Sequence, residues 1–224
     1  MRAVFKTTAL MLLVWPALAG DVNVYVHITR RLTRKAIAPM VYDLRGAVPA
    51  PSTNSETPIN EFDRTVVMLV GPRPAPVAPE TIRIEQRNSR FEPDLAVVPV
   101  GSTAEFPNAD PIFHNVFSLS GAQPFDLGFY PKGQSRSVKF ERAGVVQVYC
   151  HIHANMYAAI VVTDSRWYGH PANDGTLVFK GVPAGHYTAE AWHRIAGLCK
   201  ADVDVSASGE ARVDIQVPLT ERRQ

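Results

Sequence analysis

Beyond residue 19 the chain never holds an apolar stripe at helical spacing. It reads instead as short runs, about five to seven residues each, rich in Val, Ile, Thr and aromatic residues and bounded by Gly, Pro, Asn or Asp. The runs are Val22 to Ile28, Ala38 to Leu44, Arg64 to Val70, Thr81 to Gln86, Leu95 to Val100, Ser102 to Phe106, Asn115 to Leu119, Arg136 to Phe140, Val145 to Tyr149 and Ala158 to Val162. Thr176 to Phe179, Tyr187 to Trp192, Ala201 to Val205 and Ala211 to Val217 continue the pattern. So many short strands bury their apolar faces most simply in Greek-key β-sandwiches, so the predicted fold class is all-β.

Two stretches break the regularity: Gly46 to Asn60, full of Pro, Ser, Thr and Asn, and Gly71 to Pro79, with Pro72, Pro74, Pro76 and Pro79. Both are expected to be irregular surface connections. At the start, Arg2 and Lys6 precede an apolar stretch from Ala9 to Trp15 and the small-x-small triplet Ala17-Leu18-Ala19. This is the pattern of a secretory signal over residues 1–19, predicting an exported, periplasmic protein that begins at Gly20. The apolar stretch is shorter than the roughly 20 residues that span a bilayer, and no later segment is comparably apolar, so no membrane span is expected after its removal. Without Arg2 and Lys6 the 21 acidic residues face 21 basic ones, which gives no reason to expect a nucleic-acid partner. The run Arg30-Arg31-Leu32-Thr33-Arg34-Lys35 is read as a solvated hairpin tip.

The segment Cys150-His151-Ile152-His153-Ala154-Asn155-Met156 places a thiolate, imidazoles and a thioether in one short loop after a strand candidate. Soft sulfur with imidazole suits copper in both oxidation states, whereas zinc favours a closed tetrahedral set without Met. Two-residue spacers let Cys150, His153 and Met156 converge on one ion, and His114, at the head of another strand candidate, can supply a second imidazole if its strand end lies beside the loop. In an oxidising compartment Cys150 and Cys199, the two cysteines, could pair as a disulfide. The neighbours of Cys150 favour a metal role for it, and leave Cys199 as a small buried hydrophobe. His151, next to the thiolate, is expected to point outward as an exposed imidazole. His27, His170, His186 and His193 are scattered and read as surface or packing residues.

Val98-Pro99-Val100-Gly101-Ser102-Thr103-Ala104-Glu105-Phe106, His114-Asn115-Val116 and the Cys150 to Met156 loop leading into Ile160-Val161-Val162 together resemble a cupredoxin, with ligand spacing most similar to amicyanin and pseudoazurin. The resemblance covers residues 79–164. It implies one type 1 copper, with His114, Cys150 and His153 in the plane and Met156 axial, and one-electron exchange with periplasmic redox proteins through the His153 edge near Ala154 and Tyr157. It further implies that Asn115 supports the site from outside the ligand set, its side chain tying the two ligand loops together. Such a protein is a carrier and not an enzyme, similar to the plastocyanin-like proteins labelled methylamine utilisation proteins. A His-x-His pair also occurs in multicopper oxidases, but a trinuclear cluster needs several such pairs, and a binuclear copper centre needs two loop cysteines.

Around that block, Asn173-Asp174-Gly175-Thr176-Leu177-Val178-Phe179, Val182-Pro183-Ala184-Gly185-His186-Tyr187 and Ala191-Trp192-His193 resemble a carboxypeptidase-regulatory-like, prealbumin-like β-sandwich, whose opening strands Val41 to Gly46 and Thr65 to Val70 would supply. This predicts residues 20–78 and 165–218 as one discontinuous sandwich with the copper domain inserted at an exposed connection, and 219–224 as a tail. Three consecutive pieces with an independent N-terminal hairpin are the competing arrangement. Two other functions fit the same residues: copper binding and delivery without redox turnover, and a structural or carbohydrate-binding sandwich with a vestigial copper site.

Overall fold

In a computed structural model, residues 19–29, 60–72 and 77–219 are described. Expectations for the signal segment 1–18, the basic run, the strand Ala38 to Leu44, the opening strand Val41 to Gly46, most of the connection ending at Asn60, residues 73–76 and the tail beyond 219 lie outside them. The strands in chain order are β1 (Ala19–Ile28), β2 (Thr65–Val70), β3 (Thr81–Arg83), β4 (Glu85–Arg87), β5 (Arg90–Glu92), β6 (Leu95–Pro99), β7 (Thr103–Pro107), β8 (His114–Ser118) and β9 (Phe125–Tyr130). They continue as β10 (Ser135–Lys139), β11 (Gly144–Tyr149), β12 (Tyr157–Thr163), β13 (Tyr168–Gly169), β14 (Thr176–Pro183), β15 (Gly185–His193), β16 (Gly197–Val205) and β17 (Glu210–Val217). One 3-10 turn, Glu61–Arg64, is capped by the Asn60 side chain, which accepts from the Phe62 amide. The described residues are thus all-β.

Two sheets, β3-β7-β10 and β6-β12-β11-β8-β9, enclose one core. Val98, Phe106, Val116, Tyr130, Phe140, Val146, Val148 and Ile160 fill it, and Cys150 and Met156 belong to the same cluster. Alternation along β11 explains the placement: Val146 and Val148 are buried while Val145, Gln147 and Tyr149 look the other way. Two further sheets are β14-β1-β17 and β13-β2-β15-β16, and β4-β5 form a separate two-stranded one. In them β1 lies antiparallel to β14 and parallel to β17, and β2 lies between β13 and β15, so strands from before residue 71 pair with strands from beyond residue 167. Their core holds Val22, Val24, Val26, Leu69, Val182, Ala189 and Ile215. Leu219, assigned to the tail by sequence, is buried in it.

A third apolar cluster joins the two pairs of sheets. Val66, Met68 and Trp192, on the outer face of β2 and β15, meet Leu95, Ala159 and Val161 of β6 and β12. β12 is therefore buried on both faces from Ala158 to Thr163, which its unbroken apolar sequence requires. Each large side chain taken out of water there contributes roughly 1.5–3 kcal/mol, enough to hold the sandwiches in a fixed relation.

The structure departs from the strand expectations at particular residues. Thr81 to Gln86 is not one strand: β3 pairs in parallel with β7, then Ile84 turns inward and β4 leaves to form a hairpin with β5. β9 has no strand signature because Asp126 and Gly128 interrupt it. Gly128 has φ +67°, the pairing with β8 slips between Asn115 and Phe117, and Asp126 accepts from the Gly128 amide, so this is a bulged strand.

A buried ionisable pair lies at the foot of the 3-10 turn. His193 Nδ1 accepts from the Ile195 and Ala196 amides (3.2 and 3.3 Å), which leaves Nε2 to donate to Glu61 Oε2 at 3.2 Å. Burial, partly opposed by Glu61, pushes the His193 pKa below its ordinary 6.5. The unfolded chain takes up this proton near 6.5 while the folded protein keeps the ring neutral to lower pH, so the stability involved is intact above about 6.5 and falls away as pH drops through the folded value. Urea midpoints measured from pH 8 to pH 5 should decline below about 6.5, and His193→Gln should flatten that decline. An unchanged slope in the variant would contradict this role for His193.

Candidate metal centre

His114 opens β8, and Cys150 follows the last residue of β11. Antiparallel pairing of Tyr149 with Phe117 lays those two strand ends side by side, although His114 and Cys150 stand 36 positions apart in sequence. The chain then turns through 150–156, where the Met156 amide donates to the His153 carbonyl at 3.0 Å, and re-enters the sheet as β12. The turn brings His153 back over Cys150. Cys150 Sγ stands 3.9 Å from both His114 Nδ1 and His153 Nδ1, and the two imidazole centroids are 4.8 Å apart.

One donor atom from each of these three residues lies within 4.8 Å of the others. Imidazole and thiolate donors about 2.0–2.3 Å from a shared ion and about 120° apart would stand about 3.7 Å from each other, so the spacing fits a single ion between them. His114 and Cys150 are buried, and His153 is partly exposed. Met156, 1% exposed, packs in the same core cluster as Cys150. Cys150 and Cys199 are both free thiols. Cys199 sits partly buried on β16 against the other core, and burial pushes its thiol pKa up.

The residue that orients His114 is Asp110, which sequence reasoning missed. His114 Nε2 donates to Asp110 Oδ2 at 2.8 Å, which fixes the tautomer and leaves Nδ1 as the free lone pair facing Cys150. The same carboxylate accepts from the Asn88 and Ser89 amides at 2.7 and 2.8 Å, at the tip of the β4–β5 hairpin where both residues have positive φ (54° and 53°). Burial alone would raise the Asp110 pKa, but the Ser89, His114 and Asn88 hydrogen bonds outweigh it and hold the carboxyl below the usual range. Asn108 closes the arrangement: its Oδ1 accepts from the Asp110 amide, and its Nδ2 donates to the Ile112 and Tyr130 carbonyls. The only sequence signal was an Asp four residues before the His, outside any strand.

Asn115 is fully buried, and its Nδ2 donates at 2.7 Å to Asp126 of β9 instead of reaching the 150–156 loop. Asp126 lies 3.6 Å from His151 Nε2, so the two ligand segments are linked through Asp126. Bonds from the Gly128 amide and Asn115, then the His151 ring, keep the Asp126 pKa low. His151 itself stacks on Phe117, centroids 3.9 Å apart and planes within 8°, with its side chain 47% exposed. It faces away from the three converging donors, as expected from strand alternation. The other described histidines have partners elsewhere: His27 meets Asp214, His186 meets Asp204, and His170 meets the Thr65 carbonyl.

No protein-family model matches the chain, and no curated protein matches it. Among solved structures it is similar to a copper-containing nitrite reductase from Thermus scotoductus, at 23% identity over 42% of this chain and 27% of that one, TM-score 0.35. A purple cupredoxin from Nitrosopumilus maritimus matches at 23% identity over 37% of this chain and 99% of that one, TM-score 0.34. A Cu(I) variant of amicyanin matches at 24% identity over 43% and 99%, TM-score 0.35. Each likeness spans less than half of this chain.

Asp110 holds two amides of a strained turn and one imidazole, so Asp110→Ala should cost about 2–3 kcal/mol and speed hydrogen exchange at Asn88 and Ser89. Unchanged protection at those two amides would contradict the network.

Proposed function

We propose that the protein is an exported electron carrier in which His114, Cys150 and His153 hold one type 1 copper with Met156 as axial donor. The observation that carries the reading is the convergence of two imidazole nitrogens on one thiolate at 3.9 Å each, at the end of a β-sandwich. One Cys, two His and a weak Met form the ligand set of blue-copper electron-transfer sites, and such a copper supplies a one-electron couple. The chain's part is to keep donor geometry the same in both oxidation states. Asp110 fixes the His114 ring, β11 and β12 clamp both ends of the loop, and Asn115 with Asp126 braces the two ligand segments.

Access supports transfer to a macromolecular partner. His153 is the partly exposed ligand, and Ile152 (53% exposed) before it, with Ile112 (43%) and Phe113 (56%) just before His114, leave apolar side chains in solvent.

Loading the purified protein with one equivalent of Cu(II) should give an intense thiolate-to-copper band and a reversible couple, both lost in Cys150→Ser. Tight Cu(I) binding with no reversible couple would favour copper delivery instead, and the absence of stoichiometric copper would overturn both readings.

For domain organisation we propose residues 20–78 and 165–218 as one prealbumin-like sandwich carrying 79–164 as an insertion, supported by the pairing of β1 with β14 and β17 and of β2 with β15. Limited proteolysis near 71–79 and 163–166 should leave the outer fragments together on a native sizing column, and their separation would refute the arrangement.

A further inference from the structure

Asp110 brings a second negative charge to the candidate metal centre, beside the Cys150 thiolate. Its side chain is 9% exposed, yet three N–H donors converge on it: the Asn88 amide at 2.7 Å, the Ser89 amide at 2.8 Å and His114 Nε2 at 2.8 Å. A carboxylate that takes three hydrogen bonds and gives none is held as the anion. The two amides are neutral dipoles, which stabilise that charge without cancelling it. Arg87 of β4, whose charge interacts with Asp110, is half exposed and gives its guanidinium to Glu85 at 2.7 Å. A full negative charge is therefore buried one imidazole ring away from the nitrogen that faces Cys150.

That charge bears on oxidation state. With copper bound as proposed above, the formal charges of Cu(II), the Cys150 thiolate and the Asp110 carboxylate cancel, and reduction leaves one net negative charge. His114, Cys150 and Met156 are all buried, so little water is at hand to solvate it. With a neutral side chain at position 110 the same sum is one positive charge before reduction and zero after. Burial disfavours net charge, so the carboxylate stabilises the oxidised form relative to the reduced one. The hydrogen bond acts in the same direction: a proton drawn toward Asp110 makes the His114 ring more basic at Nδ1, and a more basic donor favours the more highly charged ion.

We infer that Asp110, acting through His114, lowers the reduction potential of the centre and so suits the protein to redox partners of lower potential than His114, Cys150, His153 and Met156 alone would serve. Asp110 is a positioning residue that also contributes its charge. In the exchange one electron leaves the reduced centre for a one-electron acceptor protein, and no proton moves, because His114 keeps its Nε2 proton on Asp110 in both states. The inference deepens the copper reading and rests on it.

The test uses the full protein, first free of copper and then loaded. Without copper, nitrogen NMR should find His114 protonated at Nε2 and bare at Nδ1, both in the native chain and in Asp110→Asn, whose amide oxygen can accept the same bond. With copper, redox titration should show Asp110→Asn favouring Cu(I) over Cu(II) by about tenfold or more relative to the native chain, a rise of about 59 mV or more, with the thiolate-to-copper band at its native wavelength. Asp110→Glu, which keeps the charge, should stay within about twofold of the native ratio. An unmoved or lowered potential in Asp110→Asn, a rise accompanied by a displaced band, an equal rise in Asp110→Glu, or the opposite His114 tautomer would each overturn the inference. A native protein without the thiolate band overturns the copper reading itself, whereas failure of this inference alone shows only in the tautomer and the variants.

Discussion

The arrangement depends on one long-range contact, the antiparallel pairing of Tyr149 with Phe117. Strand alternation does the rest: with Tyr149 facing outward, Cys150 must turn toward the core, and the head of β8 presents His114 to it. A one-residue slip between β8 and β11 would turn the thiol away from the imidazole and expose Val146 and Val148. The hydrophobic pattern that buries the core therefore also sets the donor geometry.

Rigidity around this contact comes from polar groups that are buried and paired. Asp110 is tied at once to a ligand-type histidine and to two turn amides, so neither the ring nor the hairpin can move alone. Its partner Asn108 reaches the Tyr130 carbonyl, and the Tyr130 hydroxyl donates to the Phe106 carbonyl, which carries the restraint into the core. Unpaired, such groups would each cost about 1–3 kcal/mol. On the opposite face, β12 is covered by Met68 and Trp192 of the second sandwich, so the strand that closes the loop is held from both sides. The same junction leaves a cavity of about 740 Å³ whose lining includes Asn155 and Tyr157, the two residues flanking Met156.

Much of this was legible in the chain. The β-rich runs between turn residues marked β6, β7, β8, β10, β11 and β12 to within a residue or two, β11 by its alternation and β12 by the unbroken apolar run that burial on both faces requires. The two-residue spacing of Cys150, His153 and Met156 marked them as one cluster, and the structure brings the His114 and His153 rings to the Cys150 thiol. Other features depend on three-dimensional neighbours and left little trace. Asp110 reads as a loop residue until the hairpin tip Asn88-Ser89 arrives beside it from 21 positions upstream. β9 hid behind Asp126 and Gly128, residues that weaken a strand signal because they form a bulge there. Asn115 was expected to bridge the ligand loops directly, but the bulged β9 brings Asp126 between them and the bridge runs through that carboxylate. His151, expected to point outward, also proves to be a stacking partner of Phe117, because the strand alternation that points Cys150 inward points its neighbour out.

The most direct test of the central claim is X-ray absorption at the copper edge of the loaded protein in both oxidation states. The account predicts one short sulfur bond and two imidazole nitrogens, with little change in bond lengths between Cu(II) and Cu(I). A tetragonal shell of nitrogen and oxygen without sulfur, or a coordination number that changes on reduction, would contradict it.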